Sequence, residues 1–93
     1  MRDAEQVTAI RALLHMVLKQ EAYKAYGTIG GYSRVTRLIS EAFDRFQYLH
    51  DALEEQDLRW ADDIWGGIFE ILERALKRDY PVELETIKTI SRM

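Results

Sequence analysis

The sequence predicts an all-α fold, a compact irregular antiparallel bundle of three long helices followed by a short C-terminal helix. Two stretches, 33–55 and 59–78, repeat apolar residues at the three- and four-residue steps that place side chains on one face of an α-helix. No stretch alternates apolar and polar residues for long enough to indicate a β-strand. Because the 93 residues contain no internal repeat or linker, we expect one domain spanning 1–93, with a modest core.

The first predicted helix begins at Asp3 and runs to about Lys24 or Tyr26. Asp3 and Gln6 match a capping box, in which each side chain accepts a hydrogen bond from the backbone N–H of the other residue. The apolar stripe of this helix has helical spacing and is expected to face the core: Val7, Ile10, Leu14, Val17 and Leu18. Four polar residues are expected to face solvent: Arg11, Lys19, Gln20 and Glu21.

A glycine-rich segment separates the first two helices. Residues 27–31 contain three of the five glycines, and such a segment cannot hold a regular helix at low cost. We expect Gly27 to end the first helix and Ser33 to cap the second. The second helix has a heptad-like seam with steps of four and three residues: Val35, Ile39, Ala42, Phe46, Leu49 and Leu53. Since exposed parts of such a seam pair with a second chain, a homodimer is also predicted.

The third helix is predicted to be central and the most buried. Its apolar residues between 59 and 78 extend around more than one side, which is more than a helix lying on one surface requires. A short turn after Glu55, with Asp57 as the cap, makes it antiparallel to the second helix. Gly66 and Gly67 interrupt it, at a cost of up to about 1 kcal/mol each. We expect an unbroken helix with a close helix crossing or a kink at the glycines, and a break there is the alternative.

The short fourth helix is expected to begin at Pro81. Proline has no backbone N–H to donate and its φ is fixed near the helical value, so it fits the first position of a helix. Leu84, Ile87 and Ile90 give this helix a narrow apolar edge, and we expect it to dock loosely.

The composition argues against several classes of site. The chain has no cysteine, which excludes disulfides, thiolate metal ligands and cysteine nucleophiles and fits a reducing, cytoplasmic location. His15 and His50 are the only histidines and lack further ligands at metal spacing, so neither a metal nor another cofactor is predicted. Because no nucleophile, base and orienting group can be combined, no catalytic residue is predicted either. The charged start and the interrupted apolar stretches predict neither a secretion signal nor a membrane span.

Negative charge is concentrated in the middle of the chain. Residues 50–74 carry eight acidic and two basic side chains, whereas the whole chain has a net charge of −3. An acidic surface suits a basic protein partner better than a nucleic acid. Because exposed ion pairs add little affinity, an aromatic anchor is expected, and Trp60 and Tyr80 are the partly exposed candidates. The predicted protein-binding residues are Glu54, Glu55, Asp57, Trp60, Asp62 and Asp63.

These features predict a small non-catalytic module that binds a protein partner and, in one version, inhibits it by covering a basic functional surface. A toxin-immunity protein, a phage-encoded inhibitor or an assembly adaptor would fit the size, the charge and the lack of catalytic motifs. This prediction is an analogy with the general type of such proteins, because the sequence contains no motif that matches one of their families. A solvated acidic helix face without a partner is the simpler interpretation.

The glycine-rich segment supports an alternative, the binding of a nucleotide or another phosphorylated ligand. Its backbone N–H groups and the positive start of the second helix suit a phosphate, and the neighbouring tyrosines suit a stacked base. The segment lacks the P-loop spacing and follows no strand, so a plain connector is the simpler interpretation. The alternative ligand-binding residues are Lys24, Tyr26, Gly27, Thr28, Gly30, Gly31, Arg34 and Arg37. A DNA-binding helix-turn-helix in the same region is disfavoured by its register and by the acidic overall charge.

Overall fold

Four α-helices account for most of the chain in the computed structural model, which describes residues 3–24 and 33–93. They are α1 (Ala4–Lys24), α2 (Arg34–Glu54), α3 (Leu58–Leu76) and α4 (Pro81–Arg92). None of the residues in those two ranges lies in a β-strand, so the predicted bundle of three long helices and a short C-terminal one is confirmed. In the same residues, no helix combines the length and the apolar character needed to cross a lipid bilayer.

The starts of the first three helices are set by side-chain caps, as predicted. In each case a side-chain oxygen accepts a backbone N–H of the first turn, which has no partner within the helix. The bonds join Gln6 N to Asp3 Oδ1 (3.0 Å), Thr36 N to Ser33 Oγ (3.1 Å) and Trp60 N to Asp57 Oδ1 (3.0 Å). The Asp3 N–H also donates to Gln6 Oε1 at 3.1 Å, which completes the capping box. The prediction that α4 begins at Pro81 is likewise confirmed.

Neighbouring helices run antiparallel, because hydrogen bonds join the start of one to the end of the next. The Arg34 guanidinium at the start of α2 donates to the Arg74 carbonyl near the end of α3, at 3.2 Å. The Gln6 amide at the start of α1 donates to the Ile90 carbonyl near the end of α4, at 2.8 Å. Among the described helices, α1 contacts α2 and α4 but not α3, and α4 does not contact α2. The helices therefore form a closed up-and-down ring around one core.

The prediction that α3 is central and surrounded is wrong. Among the described helices, each one lies close to two neighbours, and the backbone of α3 approaches only those of α2 and α4. The apolar residues that widen its arc differ in burial: Ile71 and Leu76 are buried, Ile64 is half-buried, and Trp60 is 39% exposed. The extra apolar width thus packs into the shared core in the second half of α3 and borders the surface in the first half.

The core draws on all four helices. The α2 seam points inward, and all of it except the half-buried Leu53 is buried. It is therefore used for packing within the chain, which leaves it no exposed apolar row for a second copy. The buried apolar residues are Val7, Ile10, Leu14, Val17, Val35, Leu38, Ile39, Ala42, Phe46, Leu49, Ala52, Ala61, Ile68, Ile71, Leu72, Ala75, Leu76, Tyr80, Leu84 and Ile87.

The connection between α2 and α3 is a tight reversal of three residues, 55–57. Gln56 adopts a positive φ of 58°, its N–H donates to the Leu53 carbonyl (3.1 Å), and the Asp57 N–H donates to the Ala52 carbonyl (3.0 Å). These two bonds form a Schellman motif, which satisfies carbonyls at the end of α2 and turns the chain back along it.

Gly66 and Gly67 lie within α3, and the predicted unbroken helix is confirmed. The close helix crossing expected at these residues is wrong. In the described part of the chain, a Cβ added at either glycine would meet no heavy atom within 4 Å outside its immediate surroundings in the helix. The two glycines therefore cost helix stability without allowing closer packing.

We expect Gly66→Ala and Gly67→Ala each to raise the free energy of unfolding by about 0.5–1 kcal/mol, because alanine is the better helix former and its methyl group has room. Chemical denaturation followed by circular dichroism measures this change. Gln20→Gly, at an exposed position in α1, is the matched opposite change and should lower stability by a similar amount. A loss of stability in either alanine variant would show that the glycine is needed for packing.

Candidate functional site

A groove of about 510 Å³ lies on the outer surface between α2 and α3. Each wall comes from one face of one helix, because its four residues are separated by steps of one, three or four positions. The α2 wall consists of Glu41, Asp44, Arg45 and Tyr48, and the α3 wall of Trp60, Asp63, Ile64 and Gly67. The antiparallel pairing of the two helices brings residues 41–48 opposite residues 60–67.

Two aromatic side chains give this α2–α3 groove apolar surface that water can reach. Tyr48 is 59% exposed and Trp60 is 39% exposed. Ile64 is half-buried beside them, and Gly67 contributes no side chain, so the space at its position stays open. Exposed aromatic rings with an apolar body and a polar tip are common anchors for protein partners.

The charges of the α2–α3 groove are mostly negative. Glu41, Asp44 and Asp63 provide three carboxylates, whereas Arg45 provides the one cation among the lining residues. Arg45 Nη2 lies 3.6 Å from Glu41 Oε1 in an exposed ion pair of the kind that contributes little stability. Asp44 and Asp63 form no ion pair within the described residues, so their charge is available to a basic ligand.

The structure does not gather the six predicted protein-binding residues into one groove. Trp60 and Asp63 line the α2–α3 groove, whereas Glu54 lines a second groove of about 520 Å³ beside the start of α1. Asp57 caps α3, Glu55 ends α2, and Asp62 is exposed outside both grooves. The α2 wall lies outside the acidic stretch and was not predicted. The predicted short turn could have revealed this wall, because it places residues before 55 beside residues after 57.

Two further predictions about exposure are wrong. Tyr80, expected as a partly exposed anchor, is 3% exposed, and Glu21, expected to face solvent, is 6% exposed. Val17 lies three residues after Leu14, and Glu21 lies four residues after Val17, so Glu21 continues the core stripe of α1. Its charge suggested solvent, but a buried carboxylate is stable where enough donors surround it.

The buried Glu21 carboxylate accepts hydrogen bonds from three elements of the structure. The Tyr80 hydroxyl donates to Oε2 at 2.5 Å, the Ser33 hydroxyl donates to Oε1 at 2.9 Å, and Lys24 Nζ lies 3.1 Å from Oε2. Burial raises the pKa of Glu21, but the hydrogen bonds from Tyr80, Ser33 and Lys24 outweigh burial and leave the pKa below its ordinary value. Burial, together with the bond to Glu21, raises the pKa of Tyr80.

The alternative phosphate site falls mostly outside the described residues, which do not include Tyr26, Gly27, Thr28, Gly30 or Gly31. Its described flank already has partners, since Lys24 contacts Glu21 and lies 4.8 Å from the centre of the Tyr80 ring, and Arg34 donates to a carbonyl of α3. Arg37 is exposed. Through its bond with Ser33, the Glu21 carboxylate also brings negative charge to the start of α2, where a phosphate would bind. The phosphate site stays a prediction, and the described flank does not favour it.

The two histidines have different surroundings. The His15 ring lies against Phe43, with 5.0 Å between the ring centres. His50, Asp51 and Glu54 place one ligand atom each within 4.8 Å of one another, and all three side chains are exposed. Exposed groups of this kind commonly stay solvated, and we assign no metal to them.

We expect Tyr80→Phe to lower the free energy of unfolding by about 1.5–3 kcal/mol at neutral pH, because it removes a hydrogen bond to a buried charged carboxylate. Denaturant titrations measure the difference, and Tyr23→Phe, at a 74% exposed tyrosine, is the matched control that should change little. Equal stability of Tyr80→Phe and the unmodified protein would contradict a structural role for this bond.

The same difference should depend on pH in a defined direction. The folded pKa of Glu21 lies below its ordinary value of 4.5, so its contribution is complete above that pH and is lost as pH falls through the lowered pKa. The folded pKa of Tyr80 lies above its ordinary value of 10.0, so its contribution is complete below that pH and is lost as pH rises. The loss caused by Tyr80→Phe should therefore be largest between these values and shrink on both sides. A loss that does not change with pH would contradict this coupling.

Comparisons of the chain with protein-family models, with curated proteins and with solved structures found no match. No relative therefore assigns a role to either groove or to the Glu21 network.

Proposed function

We propose that the protein is a non-catalytic module that binds a basic segment of a partner protein in the α2–α3 groove. The observation that supports this proposal is the juxtaposition of exposed Tyr48 and Trp60 with the carboxylates of Asp44 and Asp63. Apolar ring surface and negative charge together suit a side chain that has an apolar stem and a cationic end.

An arginine side chain fits this groove best. Its planar guanidinium stacks on an aromatic face and binds a carboxylate through two parallel N–H donors. Trp60 provides the ring, and Asp63, one helical turn further along α3, provides a carboxylate on the same face. Lysine can use the charge but not the flat stacking or the paired donors, so we expect weaker binding of lysine.

Gly67 supports the proposal because it lowers the stability of α3 and packing does not account for its presence. A glycine within a helix costs about 1 kcal/mol relative to alanine, and no packing contact accounts for this cost at Gly67. Its missing side chain leaves the end of the α3 wall open beside Ile64. Gly66 is exposed and does not line the groove, so it offers a control at the adjacent position.

Binding of this kind acts by covering a basic surface of the partner. The groove takes one or two side chains, and the acidic stretch around it contributes charge that speeds and orients association more than it adds affinity. A partner whose functional surface is basic would be inhibited by occlusion. This is how a toxin-immunity protein or a phage-encoded inhibitor works, whereas an adaptor would use the same groove without inhibition.

We expect a short fluorescein-labelled arginine-rich peptide to bind the unmodified protein more tightly than its lysine counterpart, as measured by fluorescence polarisation at physiological salt. Trp60→Ala, Asp63→Lys and Gly67→Leu should each weaken arginine-peptide binding by about tenfold, the effect typical of a central anchor. Denaturation curves establish that each variant is folded.

Matched variants outside the groove separate specific binding from general attraction between charges. Glu73→Lys reverses a charge on an exposed part of α3, and Gly66→Leu adds the same side chain one position away from Gly67. Both should bind the peptide within about twofold of the unmodified protein, since neither residue lines the groove. Equal weakening by the groove variants and their controls, or no binding at physiological salt, would refute the proposal.

A further inference from the structure

Helix α1 carries apolar residues on two sides. One side is the core stripe, and the other is a row on the outer surface, here called the outer row, which consists of Ala9, Ala12, Leu13 and Met16. Together with Val17, Gln20 and Glu83 of α4, the outer row lines a shallow depression of about 300 Å³. Met16 is 64% exposed although it is a large apolar residue. A helix that is apolar on both sides normally packs on both sides.

Leu13 of the outer row is half-buried and packs against the core, whereas the described helices leave Ala9, Ala12 and Met16 exposed. α1 contacts α2 and α4, and Glu83 is the one α4 residue that reaches the rim of the depression. Ala9 and Ala12 are exposed on the surface beside it, and their small side chains let another helix approach closely.

Residue sizes along this side of α1 indicate which way such a helix would run. The first half carries the small residues Ala9 and Ala12, and the second half carries the large exposed residues Met16 and Tyr23, which is 74% exposed. If a second α1 ran antiparallel, Met16 of each copy would fill the space above Ala12 of the other. A parallel arrangement would place Met16 against Met16 and leave the alanines unfilled.

The charges on this side of α1 favour the same arrangement. Glu5 lies in the first turn of α1, and the exposed Lys19 lies near its end. In the antiparallel register that sets Met16 over Ala12, Lys19 of one copy lies one helical turn from the position opposite Glu5 of the other, at both ends of the contact. A two-fold axis requires such self-complementarity, because the same surface then forms both halves of the interface.

We propose that the outer row of α1 pairs with the same row of a second copy of this chain, antiparallel about a two-fold axis. The α2–α3 groove lies on helices that take no part in this contact, so each copy keeps its groove open. Two linked grooves can bind one partner with two basic sites more tightly than a single groove does. The dimer itself does not depend on the proposed function of the groove.

Light scattering coupled to gel filtration, over a range of protein concentrations, tests for the dimer. We expect the unmodified protein to reach twice the mass of one chain, and Met16→Glu to weaken the dimer at least tenfold, because it buries an unpaired charge at the centre of the interface. Val82→Glu adds the same charge at another exposed apolar residue, 73% exposed on α4, and should leave the dimer unchanged. A single-chain mass at every concentration, or equal effects of the two variants, would overturn the proposal.

Disulfide cross-linking tests the direction of the pair, and the absence of cysteine from the sequence makes introduced thiols unambiguous. Ala12→Cys and Met16→Cys chains, mixed and oxidised, should form mainly the mixed cross-linked dimer. A preference for two Ala12→Cys chains joined to each other would contradict the pairing of Met16 with Ala12 and overturn the proposed arrangement. Since cysteine replaces these exposed residues without adding charge, this test stands even if Met16→Glu fails to fold.

Discussion

The arrangement of the helices depends on the hydrogen bonds that the buried Glu21 carboxylate accepts. An ionised carboxylate out of water is costly unless donors replace its hydration, and here Tyr80, Ser33 and Lys24 do so. The donors belong to the start of α4, the cap of α2 and α1 itself, so satisfying one charge fixes the relative positions of three helices. Among the described residues, every buried side-chain nitrogen or oxygen has a hydrogen-bond partner. Burying the Glu21 charge therefore leaves no other polar side chain in the core unsatisfied.

Local features of the structure were predictable from the sequence, and long-range ones were not. Caps such as Asp3 and Asp57 act within three residues, so a short pattern contains the whole interaction. The bond between Glu21 and Tyr80 joins residues 59 positions apart, and neither residue shows locally that it has a partner. For the groove, Trp60 and Asp63 were predicted from charge and aromatic content. The α2 wall was not, because it joins them only through the pairing of two helices.

The acidic residues of this chain have three different roles: in the core, at a helix start and on the surface. A count of charges does not distinguish these roles. Glu21 holds helices together in the core, and Asp57 satisfies a backbone donor at the start of α3. Asp44 and Asp63 are exposed and without an ionic partner among the described residues, which makes them the acids best suited to a ligand. The concentration of acids in the middle of the sequence therefore does not by itself define a binding site.

The tight reversal at Gln56 has a consequence for the order in which the protein assembles. It joins α2 and α3 across three residues, so their contact costs little loop-closure entropy, whereas the bond from Gln6 to Ile90 closes a loop between residues 84 positions apart. Contacts between residues that are close in sequence cost less loop-closure entropy, which favours their early formation in folding. We expect the α2–α3 hairpin to outlast the docking of α1 on α4, and native-state hydrogen exchange that opened α3 before α4 would contradict this order. The α2–α3 groove lies on that hairpin, so it should keep its shape when α1 and α4 separate in a partial unfolding event.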